Sequence, residues 1–159
     1  MITIRPISKE DNRPLAELIR KVFREFHIDL PGTVYTDPTT DHLFELFNKE
    51  GSVYWVAEEN GVQFGGCGIF PTEGLPEGCA ELVKFYLSSE CRGKGIGKLL
   101  MQQCFRSAKE MDYTQLYLES FPELSTAVGM YEKEGFHAIA YPLGNSGHTA
   151  CTLWMVKDL

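Results

Sequence analysis

The chain has 159 residues, of which 43% are hydrophobic and 23% are charged. These proportions are close to the globular average and argue against disorder and fibrous repeats, and the length predicts a single domain over residues 1–159. The 22 acidic and 15 basic side chains give a formal net charge of −7, which disfavours nucleic-acid binding. Because no apolar run reaches the roughly 20 residues that span a bilayer and no signal peptide pattern opens the chain, we expect a cytoplasmic protein without a membrane partner.

The first half of the chain predicts a strand, two helices and a hairpin. Residues 1–6 are predicted as a strand, and apolar residues at helical spacing predict a helix over residues 8–26. A loop follows, and then a shorter helix that bears Leu43, Leu46 and Phe47. Two strands, at residues 52–57 and 62–70, are expected to meet at the turn dipeptide Asn60-Gly61. The second strand contains three glycines that indicate a bulge or a large group packed on bare backbone, namely Gly65, Gly66 and Gly68.

The second half predicts four more strands and two helices around a glycine-rich turn. A strand over residues 79–87 leads through this turn into a long helix that begins near Ile96. A strand over residues 115–120 follows, then a second helix, and then two strands over residues 136–141 and 150–156. Side chains of a strand alternate between its two faces. One face of the strand over residues 79–87 is therefore expected to carry Glu81, Val83, Phe85 and Leu87, and the other face Lys84 and Tyr86. The order β-α-α-β-β-β-α-β-α-β-β indicates an α/β fold with a mixed sheet and helices on both faces.

The glycine-rich turn has the chemistry of an anion site. First-turn N–H groups of a helix lack intrahelical partners, the helix dipole favours negative charge there, and glycines allow close approach of phosphate oxygens. A pyrophosphate suits this arrangement. The segment does not match the Walker A motif of nucleotide-binding proteins, because Leu99 stands where that motif has a hydroxyl residue. It does not match the dinucleotide-binding motif G-x-G-x-x-G either, because the third glycine is missing. A simple tight turn is the alternative reading of these glycines. The residues of the turn are Arg92, Gly93, Lys94, Gly95, Ile96, Gly97 and Lys98.

The segment Arg92-Gly93-Lys94-Gly95-Ile96-Gly97 resembles the acyl-CoA binding motif [QR]-x-x-G-x-[GA] of the GNAT superfamily of N-acetyltransferases. A second segment, residues 127–136, resembles the A-x-x-x-Y-x-x-x-G-F helix end of the same family. The two motifs come in the right order with a strand between them. The resemblance implies a GNAT-like acyl-CoA N-acyltransferase fold and an enzyme that transfers an acetyl group from acetyl-CoA to an amine.

The resemblance also implies where each group binds. The pyrophosphate is expected on residues 92–98, and the pantetheine arm along the main chain of Phe85, Tyr86 and Leu87. Tyr131 matches the tyrosine that protonates the departing thiolate, although a core aromatic is the alternative reading. Glu81 matches a general-base glutamate found in some members, and Glu119 is the rival base or an acceptor-binding group. Many members carry an asparagine at the position of Leu124, so a contact to CoA or substrate that depends on this asparagine is in doubt.

The acceptor side is less determined by the sequence. Tyr35, with Asp29 and Asp37, is a candidate contact for a cationic amine, and the four histidines show neither metal spacing nor a local acid partner. No metal is expected, and a monomer and a homodimer both remain open. A non-catalytic acyl-CoA sensor is the alternative function. A ping-pong transferase using Cys91 or Cys79 is a third, and it lacks an evident histidine partner.

Overall fold

Seven strands form one mixed sheet in the order β1-β2-β3-β4-β5-β7-β6 in the computed structural model, which describes residues 1–159. The strands are β1 (Thr3–Pro6), β2 (Val53–Glu59), β3 (Val62–Phe70), β4 (Cys79–Leu87), β5 (Gln115–Ser120), β6 (His137–Ile139) and β7 (Leu153–Asp158). The helices are α1 (Asn12–Glu25), α2 (Leu43–Leu46), α3 (Ile96–Glu110) and α4 (Ser125–Lys133). Apart from three short 3-10 turns, this order confirms the predicted one. None of the helices has the length and apolar character needed to cross a membrane.

The sheet contains one parallel pair, β4 with β5, and it opens in the middle of the fold. All other neighbouring strands are antiparallel. The β4–β5 ladder runs only from Cys79, paired with Gln115, to Glu81, paired with Tyr117. Beyond that point the two strands diverge, so the backbone of β4 after Glu81 has no strand partner on its β5 side. This divergence leaves space between the two strands for a ligand.

Helices cover both faces of the sheet, as predicted. Helix α1 buries Leu15, Ile19 and Phe23 in a cluster on one face. On the other face α3 buries Leu100 and Cys104. These side chains are at most 1% exposed, and burying each Leu or Phe contributes about 1.5–3 kcal/mol. The two packed helices therefore fix the position of β4 from both sides.

The predicted hairpin and the predicted packing on glycine are both confirmed. Asn60 and Gly61 have φ values of 53° and 78°, as a type I′ turn requires. In β3, a Cβ added to Gly66 or Gly68 would lie 2.4 or 2.7 Å from the ring of Tyr54. The Tyr54 ring thus lies directly on bare backbone, where no larger residue fits without a shift.

The predicted alternation of β4 is wrong beyond Val83, because a β-bulge interrupts the strand. Gly66 pairs with Tyr86 and Gly68 pairs with Val83, so β4 has one more residue than β3 over this stretch. Lys84 within it has a left-handed φ of 52°. Its carbonyl accepts a hydrogen bond of 2.8 Å from the buried Tyr54 hydroxyl, which holds the bulge in place.

The bulge moves side chains to the opposite face from the one predicted. Phe85 and Leu87 pack with the α3 cluster, whereas Val83 and Tyr86 pack with the α1 cluster. Phe85 and Leu87 therefore do not share a face with Val83. Because of the bulge at Lys84, β4 places side chains on both faces of the sheet next to the opening between β4 and β5.

Candidate active site

Three neighbouring cavities lie along β4. The first, of about 340 Å³, lies between β4 and the start of α3, and we call it the β4–α3 cleft. The second, of about 40 Å³, is the central chamber, and it shares Phe85, Tyr86 and Leu124 with the cleft. The third, of about 300 Å³, is the outer pocket, and among the residues that it shares with the chamber are Lys84 and His148. Each of the two larger cavities thus shares lining residues with the central chamber, which lies between them.

The β4–α3 cleft is built around the first turn of the 15-residue helix α3. Gly95, Ile96 and Gly97 line the cleft, and no side chain caps the helix. The free first-turn N–H groups therefore face the region where an anion would bind. A Cβ on Gly97 would lie 2.9 Å from the ring of Phe85, so glycine allows α3 to approach β4 closely.

The basic side chains of the turn are placed differently from its main chain. Arg92 lines the cleft, but its guanidinium pairs with Glu25 of α1, lies 5.1 Å from the ring centroid of Phe26 and donates a 3.0 Å hydrogen bond to the carbonyl of Leu87. Lys94 and Lys98 are exposed and do not line the cleft. The main-chain amides, rather than the lysines, are the groups that face a ligand in the cleft.

Tyr131 of α4 lies in the central chamber and is 6% exposed. Its ring centroid is 5.8 Å from that of Phe85 and 5.9 Å from that of Phe136, so two aromatic rings hold it in place. Burial raises the pKa of the Tyr131 hydroxyl far above its usual value. The phenol therefore stays protonated at neutral pH and can act as a proton donor.

Glu81 reaches the same chamber from β4, at the point where the strands diverge. It is 3% exposed, and its Oε1 accepts a 2.6 Å hydrogen bond from the Thr72 hydroxyl. Burial is the main cause that raises its pKa to about 7, the charge of Glu119 adds to the increase, and the Thr72 hydrogen bond opposes it. A carboxyl group with this pKa exchanges protons near neutral pH, as a general base must.

Glu119 of β5 also lines the chamber, but its oxygens are occupied. One accepts a 2.6 Å hydrogen bond from the Tyr117 hydroxyl and the other accepts one from the hydroxyl of Ser146. The main-chain N–H of Leu143 donates to the Tyr117 oxygen at 3.1 Å. Glu119 is therefore held as a fixed negative charge that also anchors the loop before β7, and Glu81 is the freer of the two carboxyl groups.

The outer pocket contains an acid–histidine pair that the sequence did not reveal. His148 Nε2 lies 3.1 Å from Asp37 Oδ2, and this contact is the main cause that holds the pKa of Asp37 well below its usual range. The two residues are separated by 111 positions, so no local spacing indicates the pair. Thr72 and Ser146 were missed for the same reason, since each acts through a distant partner.

Two of the predicted acceptor contacts lie elsewhere. Tyr35 lines none of the three cavities, and its carbonyl and hydroxyl accept hydrogen bonds from Arg20 and Arg24 of α1. Asp29 is exposed and also lies outside them. Of the predicted residues, the structure brings Glu81, Glu119 and Tyr131 together in the chamber.

The two cysteines considered as nucleophiles are in structural environments. The Cys91 thiol lies 3.4 Å from the carbonyl of Phe64 and 3.3 Å from that of Ser88, both acceptors for its proton. Burial raises the pKa of the Cys79 thiol to about 11. A nucleophilic cysteine needs a lowered pKa, so this shift is in the wrong direction for Cys79.

Comparison with known proteins identifies the class to which this fold and site belong. Residues 16–136 match the acetyltransferase (GNAT) family. The chain therefore belongs to the GNAT family of acetyltransferases. Among curated proteins it is 36% identical over 157 residues to the uncharacterized N-acetyltransferase YjgM of Escherichia coli K12, a match that covers 98% of this chain and 94% of that protein. It is also 33% identical over 116 residues to the mouse probable N-acetyltransferase family 8 member 5, covering 72% of this chain and 49% of that protein.

Solved structures share the fold at low sequence identity. A GNAT acetyltransferase from Staphylococcus aureus Mu50 superposes with a TM-score of 0.85 at 20% identity and covers 100% of this chain and 99% of its own. The PaiA N-acetyltransferase of Thermoplasma acidophilum, solved in complex with coenzyme A, gives a TM-score of 0.77 at 19% identity with the same coverage. The mixed sheet with its splayed strands is thus the GNAT fold.

Proposed function

We propose that the protein transfers the acetyl group of acetyl-CoA to a primary amine by direct attack while both substrates are bound. The observation that carries the proposal is the position of Glu81 and Tyr131 in one chamber between two larger cavities. A proton acceptor and a proton donor thus lie at the junction where a thioester from one side would meet an amine from the other.

Acetyl-CoA would occupy the β4–α3 cleft. Its pyrophosphate would bind the first-turn amides at Gly95, Ile96 and Gly97, where the helix dipole adds to the attraction. Its pantetheine amides would hydrogen-bond the main chain of Phe85 and Tyr86, whose β5 side has no strand partner. The acetyl group would then enter the central chamber.

The proposed reaction removes two protons from the amine nitrogen and adds one to the departing sulfur. The acceptor ammonium, with a pKa near 10, must lose a proton before it has a lone pair, and the ionised Glu81 carboxylate takes that proton directly or through water. The amine nitrogen then forms a bond to the carbonyl carbon and the C–S bond breaks. Tyr131 gives its proton to the departing sulfur, and the second proton of the nitrogen passes to the Tyr131 phenolate directly or through water. The products are an N-acetyl amide and CoA thiol, and the proton on Glu81 is released to solvent.

Release of free CoA thiol tests the proposal. Wild-type protein is incubated with acetyl-CoA and a panel of small amines, amino acids and peptides, and new thiol and acetylated product are measured together. We expect acceptor-dependent release of one thiol per amide formed. Tight CoA binding without acyl transfer across the panel would instead support the non-catalytic sensor.

The charge at Gly95 tests the placement of the pyrophosphate. Gly95 has a φ of 78° and nothing lies within 4 Å of an added Cβ, so Asn and Asp both fit and bear similar backbone strain. Gly95→Asp places a carboxylate near the pyrophosphate, and we expect its Kd for CoA to be at least about tenfold higher than that of Gly95→Asn at low salt. Calorimetry measures both constants, and equal constants in two folded variants would place the pyrophosphate elsewhere.

A further inference from the structure

Lys84 is a buried cation without a partner. The residue is 7% exposed, and its ammonium forms neither an ion pair nor a hydrogen bond within the chain. No fully enclosed side-chain nitrogen in the structure lacks a hydrogen-bond partner. The Lys84 ammonium therefore reaches a cavity surface, and the residue lines both the central chamber and the outer pocket.

The charges around Lys84 are close but are not in contact with it. Asp37 and Glu81 act on it through space, and burial, the main cause, lowers its pKa against their attraction. Asp37 is already paired with His148, and Glu119 is held by two hydroxyl groups. The favourable contact missing at Lys84 is an anion, since a buried charge is costly unless it is paired.

The backbone at this position does not require a lysine. The left-handed φ of 52° is most readily adopted by glycine or asparagine, and the Tyr54 hydrogen bond that holds the bulge goes to the Lys84 carbonyl rather than to its side chain. The long cationic side chain is therefore explained by what it faces and not by the bulge itself.

We propose that the acceptor is an amine that also carries a carboxylate, of which an α-amino acid is the simplest, with Lys84 binding the carboxylate while Glu81 and Glu119 face the ammonium. The inference rests on the proposed function and narrows its substrate class. The unpaired Lys84 ammonium beside the carboxyl groups of Glu81 and Glu119 is complementary to an α-amino acid, whose carboxylate and ammonium are bonded to the same carbon. A dianionic phosphate ester would meet repulsion from Asp37, Glu81 and Glu119, so a monocarboxylate is favoured.

Matched acceptors and one substitution test this proposal. For each amino acid tested, kcat/KM is compared with that of its decarboxylated amine. We expect wild type to prefer the amino acid. We expect Lys84→Met, which keeps an unbranched side chain one atom shorter and removes the charge, to lower this preference by about 10- to 100-fold, as loss of a charged hydrogen bond predicts. Lys49→Met is the matched control, because Lys49 lines the outer pocket but is exposed, and its preference should stay within about twofold of wild type.

The outcomes separate the two proposals. Turnover of amines with no preference for the carboxylate, or an unchanged preference in Lys84→Met, overturns the acceptor class and leaves acetyl transfer standing. If no acceptor reacts, calorimetry of N-acetyl amino acids with the CoA-bound protein still tests the site. Lys84→Met should weaken this binding at least tenfold relative to Lys49→Met, and equal or absent binding overturns the inference.

Discussion

Replacing Tyr131 by phenylalanine is expected to lower kcat at least about 100-fold while the Kd for CoA changes little. The substitution keeps the ring that packs on Phe85 and Phe136 and removes only the hydroxyl, so it removes proton donation to the leaving thiolate. Steady-state rates of thiol release give kcat, and calorimetry gives the Kd.

Tyr113→Phe is a matched control for loss of a phenol hydroxyl. Tyr113 donates a 2.8 Å hydrogen bond to the carbonyl of Gly51 and lines none of the three cavities, so its loss should affect stability rather than kcat. If Tyr131→Phe turns over as fast as this control, Tyr131 serves only in packing and solvent or another group protonates the thiolate.

Replacing Glu81 by glutamine is expected to lower kcat/KM for the acceptor about 100-fold or more near pH 7. In the wild type the rate should rise with pH through about 7, since Glu81 accepts a proton only when ionised. The variant lacks this inflection, and its activity should increase as the pH approaches the pKa of the amine, where neutral acceptor is supplied by solution. The measurement is kcat/KM against pH with one acceptor.

Glu119→Gln distinguishes a base from a binding charge. Glu119 is fixed by Tyr117 and Ser146, so its loss should raise KM for a cationic acceptor and leave the inflection near pH 7 in place. If wild type and both variants share one pH profile, neither glutamate is the base. If the inflection disappears in Glu119→Gln alone, the roles of the two residues are exchanged.

Glu81 also predicts a pH dependence of folding stability. Its pKa is about 7 in the folded protein against 4.5 as the ordinary value, so between these pH values the folded state binds more protons than the unfolded state. The contribution of Glu81 to the free energy of unfolding is therefore fully present below pH 4.5 and is lost as the pH rises through 7. Glu81→Gln should therefore be more stable than wild type at pH 8 by on the order of 3 kcal/mol and similar at pH 4. Urea unfolding at both pH values measures this, and equal free energies at pH 8 would mean that burial does not perturb Glu81.

The sequence predicts the order of elements because local patterns determine it. Helical spacing of apolar residues indicates α1 and α3, and the dipeptide Asn60-Gly61 specifies the hairpin turn through its left-handed backbone. Local patterns determine the ends of an element less well. A strand was predicted over residues 136–141, but β6 pairs with β7 only from His137 to Ile139.

The features that the sequence could not predict depend on long-range contacts. Period-two alternation fails at Lys84, because a bulge there requires a left-handed backbone at a residue that gives no local sign of it. The pairing of Arg92 with Glu25 joins residues 67 positions apart, and the pair of Asp37 and His148 is more distant still. Tertiary packing creates these contacts, and they determine which charges remain free in the chamber.

The most direct test of the central claim is a set of initial rates of CoA release measured while acetyl-CoA and the acceptor are varied together. Direct attack in a ternary complex predicts double-reciprocal lines that intersect and no thiol release from acetyl-CoA alone. Parallel lines, with one equivalent of thiol released before acceptor is added, would contradict it, because they require an acetyl group held covalently on the enzyme.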